Sequence, residues 1–201
     1  SLKHKHQRYI QISTDEVYGD TEEGFFTESS HLKPSSPYAA SKAAADLLVL
    51  SYVRTFGLPA VISRCSNNYG PNQFPEKLLP FFIQRLMAGQ TAPLYGDGSN
   101  IRDWLHVTDH CRAIDLILHR GQIGEVYNIG SNNERTNLEV TQRLLTLLNL
   151  PEDRIEFVKD RPGHDLRYAI DAHKITKELG WAPTIDFEKG FRETVEWYLK
   201  R

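Results

Sequence analysis

A tyrosine and a lysine lie four residues apart in the segment YAASK, at Tyr38 and Lys42. The Ala- and Leu-rich sequence around them predicts a helix, and residues four apart on a helix share one face. A free tyrosine has a pKa of about 10, which is too high for a base near neutral pH. Because an ammonium group about 4 Å away would favour the phenolate by roughly 1–4 kcal/mol, we expect Lys42 to lower the pKa of Tyr38. Such a tyrosine could take a proton from a hydroxyl group, although an isolated Y-x-x-x-K pair is more often a coincidence on a helix surface.

Two adjacent acids follow a short apolar run, at Asp15 and Glu16 in the segment YIQISTDEV. The run predicts a strand over residues 9–13, which ends just before Thr14. Two carboxylates in one site tend to separate their pKa values, so that one keeps a proton while the other is ionised. Because neighbouring strand residues point to opposite faces, both acids can serve one site only if the chain is already turning at Asp15. Without the tyrosine–lysine pair, a solvated turn would be the better interpretation.

The remaining pattern alternates strands and helices. Apolar runs predict strands at YIQIS, PAVISR, APLY, GEVYNIG and IEFV, and helical spacing predicts helices over residues 38–56, 78–88, 108–118, 137–150, 172–179 and 187–199. This alternation predicts an α/β fold, namely the C-terminal part of a doubly wound parallel Rossmann-like sheet with a smaller α+β lobe. We expect a first domain over residues 1–130, with substrate-binding insertions from about 67–105, and a C-terminal lobe over residues 131–201.

The composition excludes several classes of protein. The chain has 201 residues, is 40% hydrophobic and has a net charge of −2. This balance gives no reason to expect a nucleic acid or membrane partner. No apolar run approaches the roughly 20 residues that span a bilayer, and no signal-peptide pattern is present. We therefore expect a cytoplasmic protein, with Cys65 and Cys111 reduced and buried, and no metal site, because no metal-ligand spacing occurs.

Six separated blocks of sequence carry a closer resemblance. A threonine some two dozen residues before Y-x-x-x-K, as at Thr14, is typical of the short-chain dehydrogenase/reductase superfamily. Together the blocks STDEVYG, PYAASKAAAD, SNNYGPNQFPEKLLP, IRDWLHVTDH, YNIGSNNE and DRPGHDLRYAID resemble the dTDP-glucose 4,6-dehydratase family, extended members of that superfamily. The resemblance covers nearly the whole chain. It implies an NAD cofactor, a nucleotide-sugar substrate and a homodimer.

The resemblance also implies catalytic roles. Oxidising C4 of glucose to a ketone makes the C5 proton acidic, so that water can be eliminated across C5 and C6. By similarity, Tyr38 would work with NAD in that oxidation, supported by Lys42 and Thr14. Glu16 would take the C5 proton, Asp15 would protonate the leaving hydroxyl, and the hydride would return to C6.

Binding residues are implied in the same way. Asn67 resembles a contact to the sugar, and Asn68, with Tyr38 and Lys42, a contact to the cofactor. The nucleotide diphosphate would be held by segments that include Lys77, Leu78, Pro93, Leu94, Tyr95, Arg102, Asn137, Arg161 and His164. Of these, Arg102 and Arg161 fit a diphosphate best, because guanidinium groups bind phosphate oxygens in pairs. The three tryptophans are assigned to packing.

Two alternatives stay open. An epimerase or decarboxylase of the same superfamily needs the tyrosine–lysine pair but no adjacent Asp–Glu, so the TDE segment favours the dehydratase. An inactive fragment is the second alternative, because the chain contains none of the Gly-rich turns that open a dinucleotide-binding fold. We expect instead part of a longer protein, since a sheet opened at its centre would expose an apolar edge. The spacing does not distinguish thymine from uracil in the substrate.

Overall fold

Eight short strands and six helices make up the computed structural model, which describes residues 2–4 and 6–201. The strands are β1 (Tyr9–Thr14), β2 (Ala60–Cys65), β3 (Asn67–Tyr69), β4 (Ala92–Tyr95), β5 (Ile101–His106), β6 (Val126–Ile129), β7 (Glu134–Thr136) and β8 (Ile155–Val158). The helices are α1 (Pro37–Phe56), α2 (Leu78–Met87), α3 (Val107–Arg120), α4 (Asn137–Leu148), α5 (His173–Leu179) and α6 (Phe187–Leu199). Short 3₁₀ helices occupy Leu2–His4, Asp15–Tyr18 and Glu152–Arg154.

The main sheet is parallel and has the strand order β1-β2-β6. Residues 60–64 of β2 are all buried, as expected for a central parallel strand rich in branched side chains. The register sets Thr14 beside Cys65 and Cys65 beside Ile129. The carboxyl ends of the three strands therefore meet at one edge of the sheet, where ligands bind in open α/β sheets. The α/β class with a Rossmann-like parallel sheet is confirmed.

Two smaller sheets lie outside the main one, with the orders β3-β5-β7 and β4-β8. Strands β3, β5 and β7 were not predicted. Three residues, as in β3 and β7, are too few to show an alternating pattern. In β5, the charged residues Arg102 and Asp103 interrupt the apolar run. In the second small sheet, Tyr95 of β4 pairs with Val158 of β8, so this sheet joins residues from both sides of the boundary expected near residue 130. That boundary stays a prediction.

Helix α1 begins and ends where the sequence predicts. The Ser36 hydroxyl accepts a hydrogen bond from Ala39 N (3.1 Å), with Pro37 in the first turn. Gly57, with φ of 63°, ends the helix in the left-handed region that glycine adopts without strain. Together these signals fix the bounds of α1 and set Tyr38 in its first turn.

The core has two main apolar clusters. One packs α2, α4 and α6 around Trp104, and the other packs α3 and α5 on the main sheet around Trp181. Trp197 lies under the Arg201 guanidinium, 3.9 Å from its ring centroid. All three tryptophans therefore take part in packing.

The two cysteines are free thiols. Cys65 is partly buried, but Cys111 is exposed on α3, so the expectation of two buried cysteines is wrong for Cys111. A helix can turn any residue outward, and the sequence around Cys111 did not define the buried face. Among the described residues, no helix is long and apolar enough to cross a bilayer.

Candidate active site

The chain turns sharply at the first of the two adjacent acids. Strand β1 ends at Thr14, and Asp15 begins a 3₁₀ helix. The Thr14 hydroxyl stabilises this turn by accepting a hydrogen bond from Glu16 N (3.3 Å). Gly19 ends the turn with φ of 87°, and a side chain there would collide with the carbonyl of Lys33. The turn that both acids need in order to serve one site is therefore present.

Asp15 is almost completely enclosed, with 3% of its surface exposed. Burial and, after it, the charge of Glu16 raise the pKa of Asp15 to about 7, against an opposing hydrogen bond from Thr14. In that bond, the Thr14 hydroxyl donates to Asp15 Oδ1 (3.1 Å). Oδ2 is buried and has no hydrogen-bond partner among the described residues. Asp15 can therefore hold a proton near neutral pH and has an oxygen free to give it up.

Glu16 is half-buried and has a different environment. Burial raises the pKa of Glu16, but the charges of Arg102, Arg161 and Lys77 oppose that shift. These three cations favour the ionised carboxylate. The two neighbouring acids are thus divided into a buried one that favours its proton and one that faces positive charge, which is the arrangement an acid–base pair needs.

Tyr38 lies at the exposed start of α1, with 55% of its surface accessible. Partial burial, followed by the charges of Glu16, Cys65 and Asp15, raises the pKa of Tyr38 above its usual value. The expectation that Lys42 lowers this pKa is therefore wrong for the chain alone. Lys42 Nζ instead donates to the carbonyl of Ile12 (2.5 Å), which ties α1 to β1.

Tyr38 lies near Asp15 and Glu16, the two acids whose charges disfavour its phenolate. Helix α1 packs against β1 and against the 3₁₀ helix that begins with Asp15 and Glu16, and the charges of both acids act on Tyr38. The acids and the tyrosine therefore lie together at the carboxyl edge of the main sheet.

A buried ion pair fixes the helix that carries Tyr38 and Lys42. Arg64 Nε of β2 donates to Asp46 Oδ2 of α1 (2.9 Å), and the Ser13 hydroxyl donates to the same oxygen (3.0 Å). Asp46 and Arg64 are 0% and 3% exposed. Sequence reasoning missed this pair, although an aspartate one helical turn after Lys42 on an apolar helix was a signal for it.

Basic side chains lie near Glu16. Arg102 on β5 is buried, stacks on the Tyr168 ring at 4.2 Å and donates to the carbonyls of Asp165 (2.8 Å) and Leu166 (3.1 Å). Arg161 and Arg102 both lower the pKa of His164, for which burial is the main cause. His164 is also edge-on to the Tyr95 ring at 6.2 Å. Lys77 acts on Glu16 together with Arg102 and Arg161. We call Lys77, Arg102, Arg161 and His164 the basic group, and Tyr95 borders it through His164.

The two asparagines of β3 have different surroundings. Asn67 is half-buried and pairs with Trp104 in the β3–β5 ladder. Asn68 uses both ends of its amide internally: Oδ1 lies 2.9 Å from His110 Nδ1, and Nδ2 donates to the carbonyl of Ser66 (3.0 Å). The expected contact from Asn68 to a nicotinamide ring would therefore compete with these bonds. Sequence reasoning gave no signal for His110.

The four remaining predicted binding residues are buried or half-buried. Leu94 is 2% exposed inside an apolar cluster, and Leu78 packs against the same cluster, so neither side chain is free for a polar ligand. Asn137 is buried at the start of α4, where its backbone N–H donates to the carbonyl of Asn100 (2.9 Å). Pro93 is half-buried. Contacts from these four positions stay predictions, and for the two leucines only the backbone is available.

Within the described residues, no group of three or more His, Cys, Asp or Glu side chains could hold a metal ion.

Comparisons with known proteins show the family of this chain. A family model described as GDP-mannose 4,6 dehydratase matches residues 1–194. The chain is 55% identical over 198 residues to a dTDP-glucose 4,6-dehydratase of Actinoplanes sp., covering 98% of this chain and 62% of the relative. It is 57% identical over 192 residues to the low-salt glycan biosynthesis protein Agl12 of Haloferax volcanii, covering 96% and 62%.

A solved structure shows the same fold. DesIV, a dTDP-glucose 4,6-dehydratase from Streptomyces venezuelae crystallised with NAD, superposes with a TM-score of 0.98 at 50% identity. The match covers 100% of this chain and 62% of that one, so the chain spans less than two thirds of its relatives' length. The resemblance read from the six sequence blocks is confirmed, and the chain belongs to the GDP-mannose 4,6 dehydratase family.

Proposed function

We propose that this protein dehydrates dTDP-glucose to dTDP-4-keto-6-deoxyglucose with NAD as cofactor, and is therefore a hydro-lyase. The observation that carries the proposal is the Asp15 carboxyl group, whose pKa is raised to about 7 and whose Oδ2 is buried without a partner. It stands directly beside Glu16, which faces three cations. An acid and a base on adjacent residues suit the removal of a proton and a hydroxyl from neighbouring carbons of one sugar.

Each group has one task in this reaction. Tyr38 takes the proton of the C4 hydroxyl as that carbon becomes a ketone. Glu16 then takes the C5 proton, which the ketone has made acidic, while Asp15 gives its proton to the departing C6 hydroxyl. NAD, when bound, would supply reversible hydride transfer.

The residues at the carboxyl edge of the main sheet fit NAD in part. Dinucleotides bind at this edge in Rossmann-like sheets, and Tyr38 and Lys42 on α1 would hold the reactive end of the cofactor there. An oxidised nicotinamide ring carries a positive charge, and this charge would favour the Tyr38 phenolate that Glu16 and Asp15 oppose. Asn68 fits less well, because its amide is already bonded to His110 and Ser66.

The basic group fits a nucleotide diphosphate. Arg102, Arg161 and Lys77 all act on Glu16, so a diphosphate bound among them would place its sugar near the acids. The names of the Actinoplanes and Streptomyces relatives support dTDP-glucose as that substrate.

We also propose a cytoplasmic homodimer. The free cysteines are consistent with a reducing compartment. Helix α1 exposes Leu47, Leu48 and Phe56, each close to 60% accessible, and an apolar helix face of this kind would suit a second copy.

A direct assay tests the proposed reaction. We expect NAD-loaded protein to convert dTDP-glucose to a 4-keto-6-deoxy product that absorbs in alkali, and Glu16→Gln to lower the turnover rate by about 10²-fold or more. Glu28→Gln is the matched control, because Glu28 is also a half-buried glutamate with a raised pKa, caused mainly by burial, but it accepts from Asn128 N instead. Product formation from UDP-glucose but not from dTDP-glucose would contradict the proposed substrate.

A further inference from the structure

The loop that carries Arg161 and His164 is attached to the start of α1 through one buried carboxylate, Asp165. Asp165 is 8% exposed. Its Oδ2 accepts two hydrogen bonds, one from the Ser35 hydroxyl and one from the Tyr168 hydroxyl (2.8 Å). Ser35 lies three residues before Tyr38 in the chain. A single oxygen thus joins two parts of the site that are 130 residues apart.

The backbone of Asp165 is held just as firmly. Its carbonyl accepts from Arg102 Nη2 (2.8 Å) and from Asn100 Nδ2 (3.2 Å). The neighbouring carbonyl, that of Leu166, accepts from Ile101 N (2.7 Å). The loop is therefore fixed to β5 by its backbone, and to α1 by the Asp165 side chain.

Close packing supports the same connection. Gly163 has φ of 67°, and a Cβ there would lie 3.6 Å from the carbonyl oxygen of Ser35. The loop therefore rests against the chain segment that enters α1. Burial is the main cause of the raised pKa of Glu16, and the Asp165 charge raises it further. These contacts place Asp165 between the loop, β5 and the chain segment that enters α1.

We propose that Asp165 is a positioning residue that sets the distance between the diphosphate-binding loop and Tyr38. The proposal rests on the proposed function, since it assigns the loop to a diphosphate and Tyr38 to the sugar. With the diphosphate fixed by the loop and the tyrosine fixed by α1, the Asp165–Ser35 bond determines where the sugar stands relative to the phenol. A small misplacement there slows the chemical step without weakening the binding of the nucleotide.

Substitutions at Ser35 test this role, because they remove the bond and leave the Asp165–Tyr168 and Asp165–Arg102 contacts in place. In the NAD-loaded enzyme, Ser35→Ala is expected to lower kcat for dTDP-glucose about tenfold and to change KM less than twofold. Ser35→Thr keeps the hydroxyl and should restore kcat. Ser36→Ala is the matched control: it removes the N-cap of the same helix, so it should lower the melting temperature while kcat stays within twofold.

A second variant checks that the two residues act together. Asp165→Asn should also lower kcat, and the double variant Ser35→Ala/Asp165→Asn should be no slower than Asp165→Asn alone, because both changes break one link. A normal kcat for Ser35→Ala, a rise in KM that matches its loss of kcat, or an equal loss in Ser36→Ala would overturn the proposal.

Hydrogen exchange separates this proposal from the proposed function. In the absence of substrate, Ser35→Ala should speed amide exchange in residues 160–166 as well as at the start of α1, whereas Ser36→Ala should affect the helix alone. If wild-type protein does not turn over dTDP-glucose but this exchange pattern holds, the proposed function fails and the link stands. Unchanged amide exchange in residues 160–166 of Ser35→Ala would contradict the proposed Asp165–Ser35 connection, whether or not the protein turns over dTDP-glucose.

Discussion

Two buried aspartates, Asp15 and Asp109, stand at similar places in the fold and have opposite properties. Each lies in the first turn of a helix that follows a strand, Asp15 after β1 and Asp109 after β5. They are 3% and 1% exposed. Burial raises the pKa of Asp15 to about 7. Burial also acts to raise the pKa of Asp109, but its hydrogen bonds outweigh that effect and lower it.

The difference lies in the hydrogen bonds. Asp109 accepts from Thr184 N (3.0 Å), Ile185 N (2.9 Å), the Thr184 hydroxyl (2.9 Å) and Arg112 (2.7 Å). Asp15 accepts one bond from Thr14, and its second oxygen has no partner among the described residues. Donors favour a carboxylate, and their absence favours the acid. Asp109 therefore fixes residues 184–185 to α3, whereas Asp15 keeps a proton available for chemistry.

The largest effect expected from this comparison is on catalysis. Asp15→Asn removes the proposed proton donor and should lower kcat for dTDP-glucose by about 10³-fold, within the range usual for loss of general acid catalysis. Single-turnover measurements should still show transient absorbance at 340 nm from reduced cofactor, because the C4 oxidation does not need Asp15. An Asp15→Asn variant that retains more than a tenth of the wild-type kcat would contradict the assigned role.

The next effect is on stability, at the other aspartate. Asp109→Asn replaces an oxygen that accepts backbone N–H bonds with an NH₂ group, and we expect it to lower the free energy of unfolding by about 3 kcal/mol. Urea unfolding at pH 7.5 measures this loss. The turnover rate per folded molecule should stay within twofold of wild type, so a large loss of kcat would show that Asp109 has a catalytic role after all.

Asp15→Asn should have the opposite effect on stability, and the effect should depend on pH. Because the pKa of Asp15 is raised to about 7 in the folded chain, the folded state binds more protons than the unfolded state between about pH 4 and pH 7. Wild-type stability contributed by this group is therefore present at low pH and is lost as the pH rises through 7. The asparagine has no charge to bury, so the variant should be more stable than wild type at pH 8.

The size of that gain has a limit. Raising the pKa of Asp15 from 3.8 to about 7 corresponds to a loss of about 4 kcal/mol of stability at most. We expect the variant to gain about 2 kcal/mol at pH 8, because relaxation of the chain reduces the cost of burying the charge in the wild type. Urea unfolding at pH 5 and pH 8 measures the difference, which should be smaller at pH 5. Equal free energies of unfolding for variant and wild type at pH 8 would mean that ionisation of the Asp15 carboxyl group does not destabilise the folded wild type.

The smallest effect comes from the one bond that Asp15 does receive. Thr14→Val removes the hydroxyl that donates to Asp15 Oδ1, and this bond lowers the pKa of Asp15. The pKa should therefore rise further, by the equivalent of about 1 kcal/mol or less. Carbon-13 NMR titration of the aspartate carboxyl groups measures it, and a fall in the pKa would contradict the comparison.

The sequence predicted the elements of the fold because their patterns are local. The apolar run before Thr14, the capping signals at Ser36 and Gly57, and the helical spacing of residues 187–199 each depend on neighbours in the chain. The pairing of Tyr38 with Lys42, and the turn at Asp15, depended on similarly short spacings. The bounds agreed within one or two residues for most helices, but strands β3, β5 and β7 were missed.

The parts that sequence could not predict depend on distant contacts. The pKa of Tyr38 was misjudged because the spacing to Lys42 is visible in the sequence, but the bond from Lys42 to Ile12 and the charge of Glu16 near the phenol are not. In the same way, the hydrogen bond from Thr184 N to Asp109 joins residues 75 positions apart. Nothing in the sequence around Asp15 or Asp109 shows which carboxylate receives several hydrogen bonds and which has an oxygen without a partner.

The turn at Asp15 has a consequence for how the proposed reaction would respond to heat. Asp15 and Glu16 are consecutive, so a single peptide unit holds their Cα atoms about 3.8 Å apart at any temperature. Tyr38, on α1, has no such covalent constraint, and its separation from the two acids varies with every fluctuation of helix against sheet. Warming should therefore impair the oxidation of the sugar earlier than the elimination that follows, and the heat tolerance of the whole cycle would be set by the bonds that hold α1 in place.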